Sequence, residues 1–239
     1  MRGKRPPSGE PVIDRALSLL AVFSADRRAV GLAELSRRSG LPRSTTLRLA
    51  ARLVEWGALE RDADGRYVVG LRLFEVASLA PRTHGVREVA LPYLEDLHDV
   101  TRQHVLLAVR DGAQALLVER LSTHGAVDIA YRVGGRMPLR DTGVGLVLLA
   151  HTSEGTEPPE LATRLAAIRR DGLAVFDRRL PAPVTSVAAP VRDASGAVVA
   201  AASVVVPAES APPRAYEHAV AATARAVSRA LGHDARPRR

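Results

Sequence analysis

Gly31–Gly70 reads GLAELSRRSGLPRSTTLRLAARLVEWGALERDADGRYVVG, and the order of its parts decides the fold of the first third of the chain. Ala33–Ser39 has helical apolar spacing and is stopped by Gly40, a residue that tolerates the left-handed conformation closing a helix. Leu41-Pro42 opens a second helix, Arg43–Trp56, because proline at a first helical turn gives up only an N–H that has no partner there. Gly57 ends it. Leu59–Arg61 and Arg66–Val69 read as short strands about Asp64-Gly65, a strong hairpin signal. Helix, tight turn, helix and hairpin in that order describe a winged helix-turn-helix, whose second helix enters a DNA major groove.

By helical periodicity Leu49 and Leu53, with Ala50 and Trp56, form the buried face of Arg43–Trp56. Arg43, Ser44, Leu47, Arg48 and Arg52 then face outward. Arg48 is placed for bidentate contact with guanine O6 and N7, while Ser44 and Thr45 sit where hydroxyls and helix-start N–H groups hold phosphate. Arg61 and Arg66 flank the hairpin tip, within reach of DNA backbone or minor groove.

The charge distribution agrees. The 239 residues carry a formal net charge of +8, and residues 1–83 hold 15 Lys+Arg against 9 Asp+Glu. A basic surplus confined to one segment predicts a polyanionic partner for that segment. Genome bias explains why 33 of the basic residues are arginine and only Lys4 is lysine, but it does not explain where they lie. The absence of cysteine excludes thiolate metal sites, disulfides and cysteine nucleophiles. No apolar run approaches the roughly 18 residues of a membrane span, and MRGKRPPSGEP lacks a signal-peptide core. A soluble, cytoplasmic protein that makes no membrane contact is expected.

Residues 1–10 read as a disordered arm and Pro11–Ser24 as an amphipathic helix through Ile13, Ala16, Leu17, Leu20 and Phe23. The DNA-binding domain is expected over 11–70, a linker helix and boundary over 71–84, a second domain over 85–235 and a basic tail over 236–239. Leu71–Ala80 is the linker helix, with Pro81–Gly85 as the boundary itself. Val86–Thr101, Gly143–His151, Glu160–Asp171 and Tyr216–Leu231 have helical spacing. Strands are expected at His104–Arg110, Gln114–Leu121, Val127–Val133, Leu173–Asp177, Val187–Val191 and Ala197–Val206. Mostly hairpin-linked strands with helices at both ends describe an α+β domain around an antiparallel sheet.

Three groups of residues carry a family resemblance. They are Ile13–Leu17 with the quoted segment, REVALPYLEDL with RVGGRMPLRDTGVGLVLLA, and VAAPVRDASGAVVAAASV. In this order they resemble the IclR-type (isocitrate lyase regulator-like) transcription factors over nearly the whole chain. The resemblance implies an N-terminal winged helix-turn-helix, a linker helix that pairs subunits and a C-terminal GAF-like antiparallel-sheet effector domain. It also implies homodimers or dimers of dimers on pseudo-palindromic double-stranded operators, a small-molecule effector and, most commonly, repression. Leu47 replaces a commonly polar groove-facing residue, and Ser39 a usual core leucine.

By the same resemblance Thr142, Gly143 and Gly145 line the effector pocket, on a loop whose glycines admit close backbone approach. On its far side Asp177 matches the second of an Asp-Asp pair, Phe176 replaces the first, Ser186 stands where Cys or Ser is usual, and Ser203 matches a serine. Val205 replaces a second serine, Arg178 and Arg179 replace acidic residues, and Pro183 replaces a glycine. Fewer polar partners and an added aromatic suggest an apolar or aromatic metabolite, carboxylated or not. The chain is also shortened between His151 and Leu161 relative to the family, which alters the pocket rim.

No enzyme is expected. The seven histidines show no i, i+4 metal pairing, no nucleophile elbow or P-loop is present, and no cofactor is implied. Two alternatives stay open: a non-allosteric DNA binder with a degenerate sensor domain, and a small-molecule-binding or catalytic protein whose basic domain serves another partner.

Overall fold

The computed structural model describes residues 11–80, 84–124, 126–127, 129, 131–152, 159–179, 182–210 and 212–234. The expected arm (1–10) and basic tail (236–239) lie outside the described residues, as do 81–83 of the expected boundary. The chain separates into two compact units, Met1–Ala80 and Pro81–Arg239.

The first unit contains α1 (Val12–Leu20), β1 (Ala29–Val30), α2 (Leu32–Ser39), α3 (Arg43–Trp56), β2 (Leu59–Arg61), β3 (Tyr67–Val69) and α4 (Leu71–Ser78). Gly40 adopts φ +72° between α2 and α3, and Ser39 holds the same turn, its Oγ donating to the Ser36 carbonyl and accepting from Leu41 N–H. A leucine there would leave that N–H without its side-chain partner. Leu19, Leu35, Leu41, Leu49, Leu59 and Tyr67 form the core. Each such side chain contributes roughly 1.5–3 kcal/mol by leaving water. The hairpin β2–β3 gains β1 as a third antiparallel strand, Val30 pairing with Tyr67.

One face assignment needs correction. Trp56 is 52% exposed, because the last turn of α3 runs past the core, and its ring lies 5.8 Å from the Arg72 guanidinium. Thr46 is buried in its place, with its hydroxyl donating to the Pro42 carbonyl at 3.1 Å.

The second unit is a six-stranded antiparallel sheet in the order β6-β5-β4-β9-β8-β7. Its strands are β4 (His104–Asp111), β5 (Gln114–Leu121), β6 (Arg136–Pro138), β7 (Ala174–Arg178), β8 (Val184–Arg192) and β9 (Val198–Pro207). The helices α5 (His84–Thr101) and α8 (Arg214–Ala230) cover one face through Leu94, Leu107, Val187, Val204 and Val227. The other face carries α6 (Gly143–Ala150) and α7 (Ala162–Asp171), packed on Leu106, Ala188, Ala201 and Val205.

The expected strand Val127–Val133 is not formed among its described residues, and the third strand is β6 instead. Side chains rather than a ladder take up the carbonyls of that segment. Arg120 donates to the carbonyls of Tyr131 (2.6 Å) and Ile129 (3.4 Å). The buried His104 ring faces the Val127 carbonyl with Nε2 and the Ser122 hydroxyl with Nδ1. A carbonyl only accepts, so Nε2 donates to Val127.

All of α6 is buried. Thr142 caps it, its Oγ1 accepting from Gly145 N–H (3.1 Å) and donating to the Pro138 carbonyl (2.9 Å). A Cβ at Gly145 would stand 2.5 Å from both the Leu139 carbonyl oxygen and Thr142 Oγ1, so this glycine is required by packing. Gly145→Ala is expected to destabilise the sheet unit by about 1–3 kcal/mol, read as an earlier thermal transition by circular dichroism. An unchanged melt would show that the loop before α6 yields without cost.

Candidate DNA-reading surface and effector cavity

Helix α3 presents Arg43, Ser44, Leu47, Arg48 and Arg52 to solvent, with Thr45 half-buried. The structure therefore brings the sequence-derived groove residues onto one exposed face. Arg52 is paired with Glu55 at 2.5 Å. Arg43 and Arg48 make no ion pair or side-chain hydrogen bond among the described residues, which leaves both guanidinium groups available to a polyanion. Leu47 is 47% exposed between them.

The wing arginines flank the hairpin tip and make contacts within it. Arg61 turns back onto its own hairpin, donating from Nη1 to the Gly65 carbonyl and from Nη2 to the Tyr67 hydroxyl, both at 2.7 Å. Its guanidinium also lies 4.3 Å from the Tyr67 ring centroid. Arg66 is paired with Asp62 and Asp64, each at 2.9 Å. Desolvation acts to raise the Asp62 carboxyl, but hydrogen bonds from the Arg66 backbone and side chain outweigh it and hold the group below its ordinary value. Both arginines thus brace the hairpin tip.

In the second unit, strand pairing fixes what faces α6. Side chains alternate between sheet faces, and the register aligns Phe176, Ser186, Val205 and His104 in one row across β7, β8, β9 and β4. Ala174, Ala188, Ser203 and Leu106 form the next row. Between these rows and α6 lies a cavity of about 390 Å³ counted out to its open mouth. Its walls come from both the sheet and α6, and most of the lining side chains are apolar. The sheet contributes Leu106, Phe176, Arg178, Ser186, Ser203 and Val205. Asp141, Thr142, Gly143 and Val144 close the helix side, Ile129 and Tyr131 the loop side, and Met137 of β6 the sheet edge.

Of the residues carried over by resemblance, the structure gathers Thr142, Gly143, Phe176, Ser186 and Ser203 at this cavity. Gly143 lets α6 approach β8, since a Cβ there would meet the Ser186 hydroxyl. Gly145 does not line the cavity; its N–H is taken by the Thr142 cap. Nor does Asp177, which accepts a hydrogen bond from Thr185 at 2.6 Å on the opposite face of the strand. Alternation requires this, because 176 and 177 cannot share a face. The same rule places Arg178 beside Phe176, and a strict period-two reading of β7 is the signal that finds it. Tyr131 has no comparable signal, since its place depends on the irregular segment before β6, and Met137 follows from a three-residue strand too short to show a period.

A basic winged helix joined in one chain to a sheet domain with an apolar cavity defines a DNA-binding regulator with a small-molecule-binding domain. Family comparison agrees: the model for the IclR helix-turn-helix domain matches residues 12–63, and that for the bacterial transcriptional regulator IclR C-terminal domain matches 79–157 and 152–231. The chain belongs to the IclR family of bacterial transcriptional regulators. Escherichia coli XynR, an HTH-type transcriptional regulator, is 27% identical over 211 residues, covering 80% of this chain and 84% of that protein. Bacillus subtilis KipR is 32% identical over 125 residues, a match spanning 52% of this chain and half of KipR. The crystal structure of an IclR homolog from Microbacterium hydrocarbonoxydans complexed with 4-hydroxybenzoate is 33% identical, with a TM-score of 0.87 over 92% of this chain and 99% of that one. No helix among the described residues is long and apolar enough to cross a membrane.

Because Arg61 is committed to Gly65 and Tyr67, Arg61→Ala is expected to loosen the hairpin by about 1 kcal/mol. Faster amide exchange at Val68, with α3 amides unaffected, checks this; unchanged exchange would return Arg61 to a solely DNA-facing role.

Proposed function

We propose that this regulator represses its target genes as a homodimer on a pseudo-palindromic operator and is controlled by an apolar, ring-shaped effector in the cavity facing α6. Residues 11–70 form the reader, 71–84 the linker and 85–235 the sensor. The observation that carries the effector reading is the cavity lined by Phe176, Tyr131 and Met137, two aromatic rings and a thioether suited to a ring-shaped ligand held by few polar groups. The bound 4-hydroxybenzoate of the Microbacterium relative supports it and supplies the first probe. Leu71 and Phe74 on α4, and Ile13 on α1, are each 70% exposed or more. Apolar surface left open in this way suits a subunit contact, which supports the dimer. The protein acts in the cytoplasm, where its operator is, and has no enzymatic role.

At the DNA, Arg48 reads guanine, Ser44 and Thr45 hold phosphate, and Arg43 and Arg52 add backbone contacts. Leu47 offers an apolar surface for a thymine methyl group. Footprinting upstream of the chain's own gene, with and without 4-hydroxybenzoate and related aromatic metabolites, tests the whole reading. Protection relieved by a metabolite is the expected result. Protection that no metabolite alters would favour a DNA binder with a degenerate sensor, and no protection would point to a different partner for the basic domain.

Arg48→Ala is expected to cost about 1–3 kcal/mol of discrimination between selected and random DNA. Replacing thymine by uracil in the selected site, which removes only the methyl group, is expected to weaken the wild type and leave Leu47→Ala indifferent. Equal losses on selected and random DNA for Arg48→Ala would remove its base-reading role.

A further inference from the structure

A cation buried without a counter-charge is costly, because its hydration is lost and nothing replaces it. Arg178 is half-buried, and the sealed part of its guanidinium is in this position. Its Nε and Nη2 are sealed from solvent and have no hydrogen-bond partner among the described residues, although the residue lines the effector cavity. The guanidinium lies 5.3 Å from the Tyr131 ring centroid. That contact favours the charge but leaves its N–H donors unmet.

The nearby acids do not answer it. Asp177 has turned to the opposite face and binds Thr185. Asp141 also lines the cavity, but it is an exposed residue and forms no ion pair with Arg178 among the described residues. A second orphan lies deeper, for Ser203 is fully buried and its Oγ has no partner among the described residues.

The separation of the two can be read from the sheet. Arg178 pairs with Val184 on β8, and Ser203 with Ala188 on the other side of the same strand. They are two strand spacings and four residues apart, a Cα separation of roughly 16 Å. The long arginine side chain covers part of that distance. A ligand that reaches both must carry a polar group at each end and pass Phe176, Leu106 and Val205, which line the same cavity.

We propose that the effector is a planar organic anion whose carboxylate forms the salt bridge Arg178 lacks, with a hydrogen-bonding substituent at its far end meeting Ser203. The inference rests on the sensor reading above and adds the charge of the ligand and the residue that selects it. A guanidinium presents paired N–H donors in the geometry of a carboxylate, so the anion is held bidentately. The unpaired first N–H groups of α6, beside Gly143 and Val144, put the positive end of a helix dipole on the same cavity. A neutral ligand would leave the arginine as orphaned as it is without one, so selection against neutral analogues is built in.

The test is titration calorimetry on the full chain with benzoate against benzamide and phenylacetate against phenylacetamide, pairs of similar shape that differ in charge. The acids are expected to bind at least tenfold more tightly than the amides. Arg178→Met is expected to abolish that preference, with an unchanged far-ultraviolet circular dichroism spectrum showing that the sheet unit is still folded. Without ligand, Arg178→Met is expected to melt at a higher temperature than wild type, since the unpaired charge is gone. A para-hydroxyl on benzoate is expected to tighten binding to wild type and not to Ser203→Ala. Equal affinity for acid and amide, or a preference that survives in Arg178→Met, would overturn the inference and leave the aromatic sensor standing. Binding of neither member of either pair would overturn the aromatic sensor and this inference with it.

Discussion

The sheet of the second unit is covered on both faces, and the strict alternation of side chains along β7, β8, β9 and β4 is the constraint on which its function depends. Val187, Ala189, Val204 and Val206 belong to the α5–α8 layer. Their immediate neighbours Ser186, Ala188, Ser203 and Val205 face α6. Small side chains dominate that second set, so α6 packs close at Ser186 and Ala188 through Gly143, and the cavity remains beside that contact, over Ser203. The cavity is thus a consequence of residue size along rows fixed by register. A slip of one residue in β7 would exchange Arg178 and Phe176 for Asp177 and reverse the charge of the cavity wall.

The first unit manages its charge differently. Its arginines divide into those satisfied at home and those left for a partner. Arg38 pairs with Glu34, Arg52 with Glu55, Arg66 with Asp62, and Arg61 with the carbonyl and phenol of its own hairpin. These exposed pairs add little stability. Their effect is to fix the wing and the rims of α2 and α3, so that the uncommitted cations, Arg43 and Arg48, stand on a rigid frame. Affinity for DNA needs positive charge, whereas discrimination needs that charge to be held in place.

Much of this was legible in the sequence, for reasons that differ by element. The bounds of α3 could be read to the residue because Gly40, Pro42 and Gly57 punctuate it, and the second-unit helices and hairpins followed from periodicity and Asp-Gly turns. The two-residue strand β1 is too short to have a period. Trp56 was misplaced because helical spacing continues after the core beneath it has ended. Val127–Val133 has the composition of a strand, but its carbonyls are taken by Arg120 and His104, partners well outside any local window. At the cavity, resemblance supplied Thr142, Gly143, Phe176, Ser186 and Ser203, and it also brought Asp177 and Gly145, whose side of the strand and tight packing place them elsewhere. In the sequence Arg178 stands out only as a departure from the family pattern. Alternation makes it the charged member of the wall.

The exposed indole at the end of α3 has an optical consequence. Trp56 is the chain's one tryptophan, and it belongs to the DNA-reading unit, stacked near Arg72 and open to solvent. The effector cavity holds Tyr131 and Phe176 but no indole. Tryptophan emission from this protein is therefore a site-specific signal from one domain, blind to direct contact with an effector. A change in that emission on adding a cavity ligand would register in the reading unit, so the native protein already contains its own reporter of communication between sensing and reading.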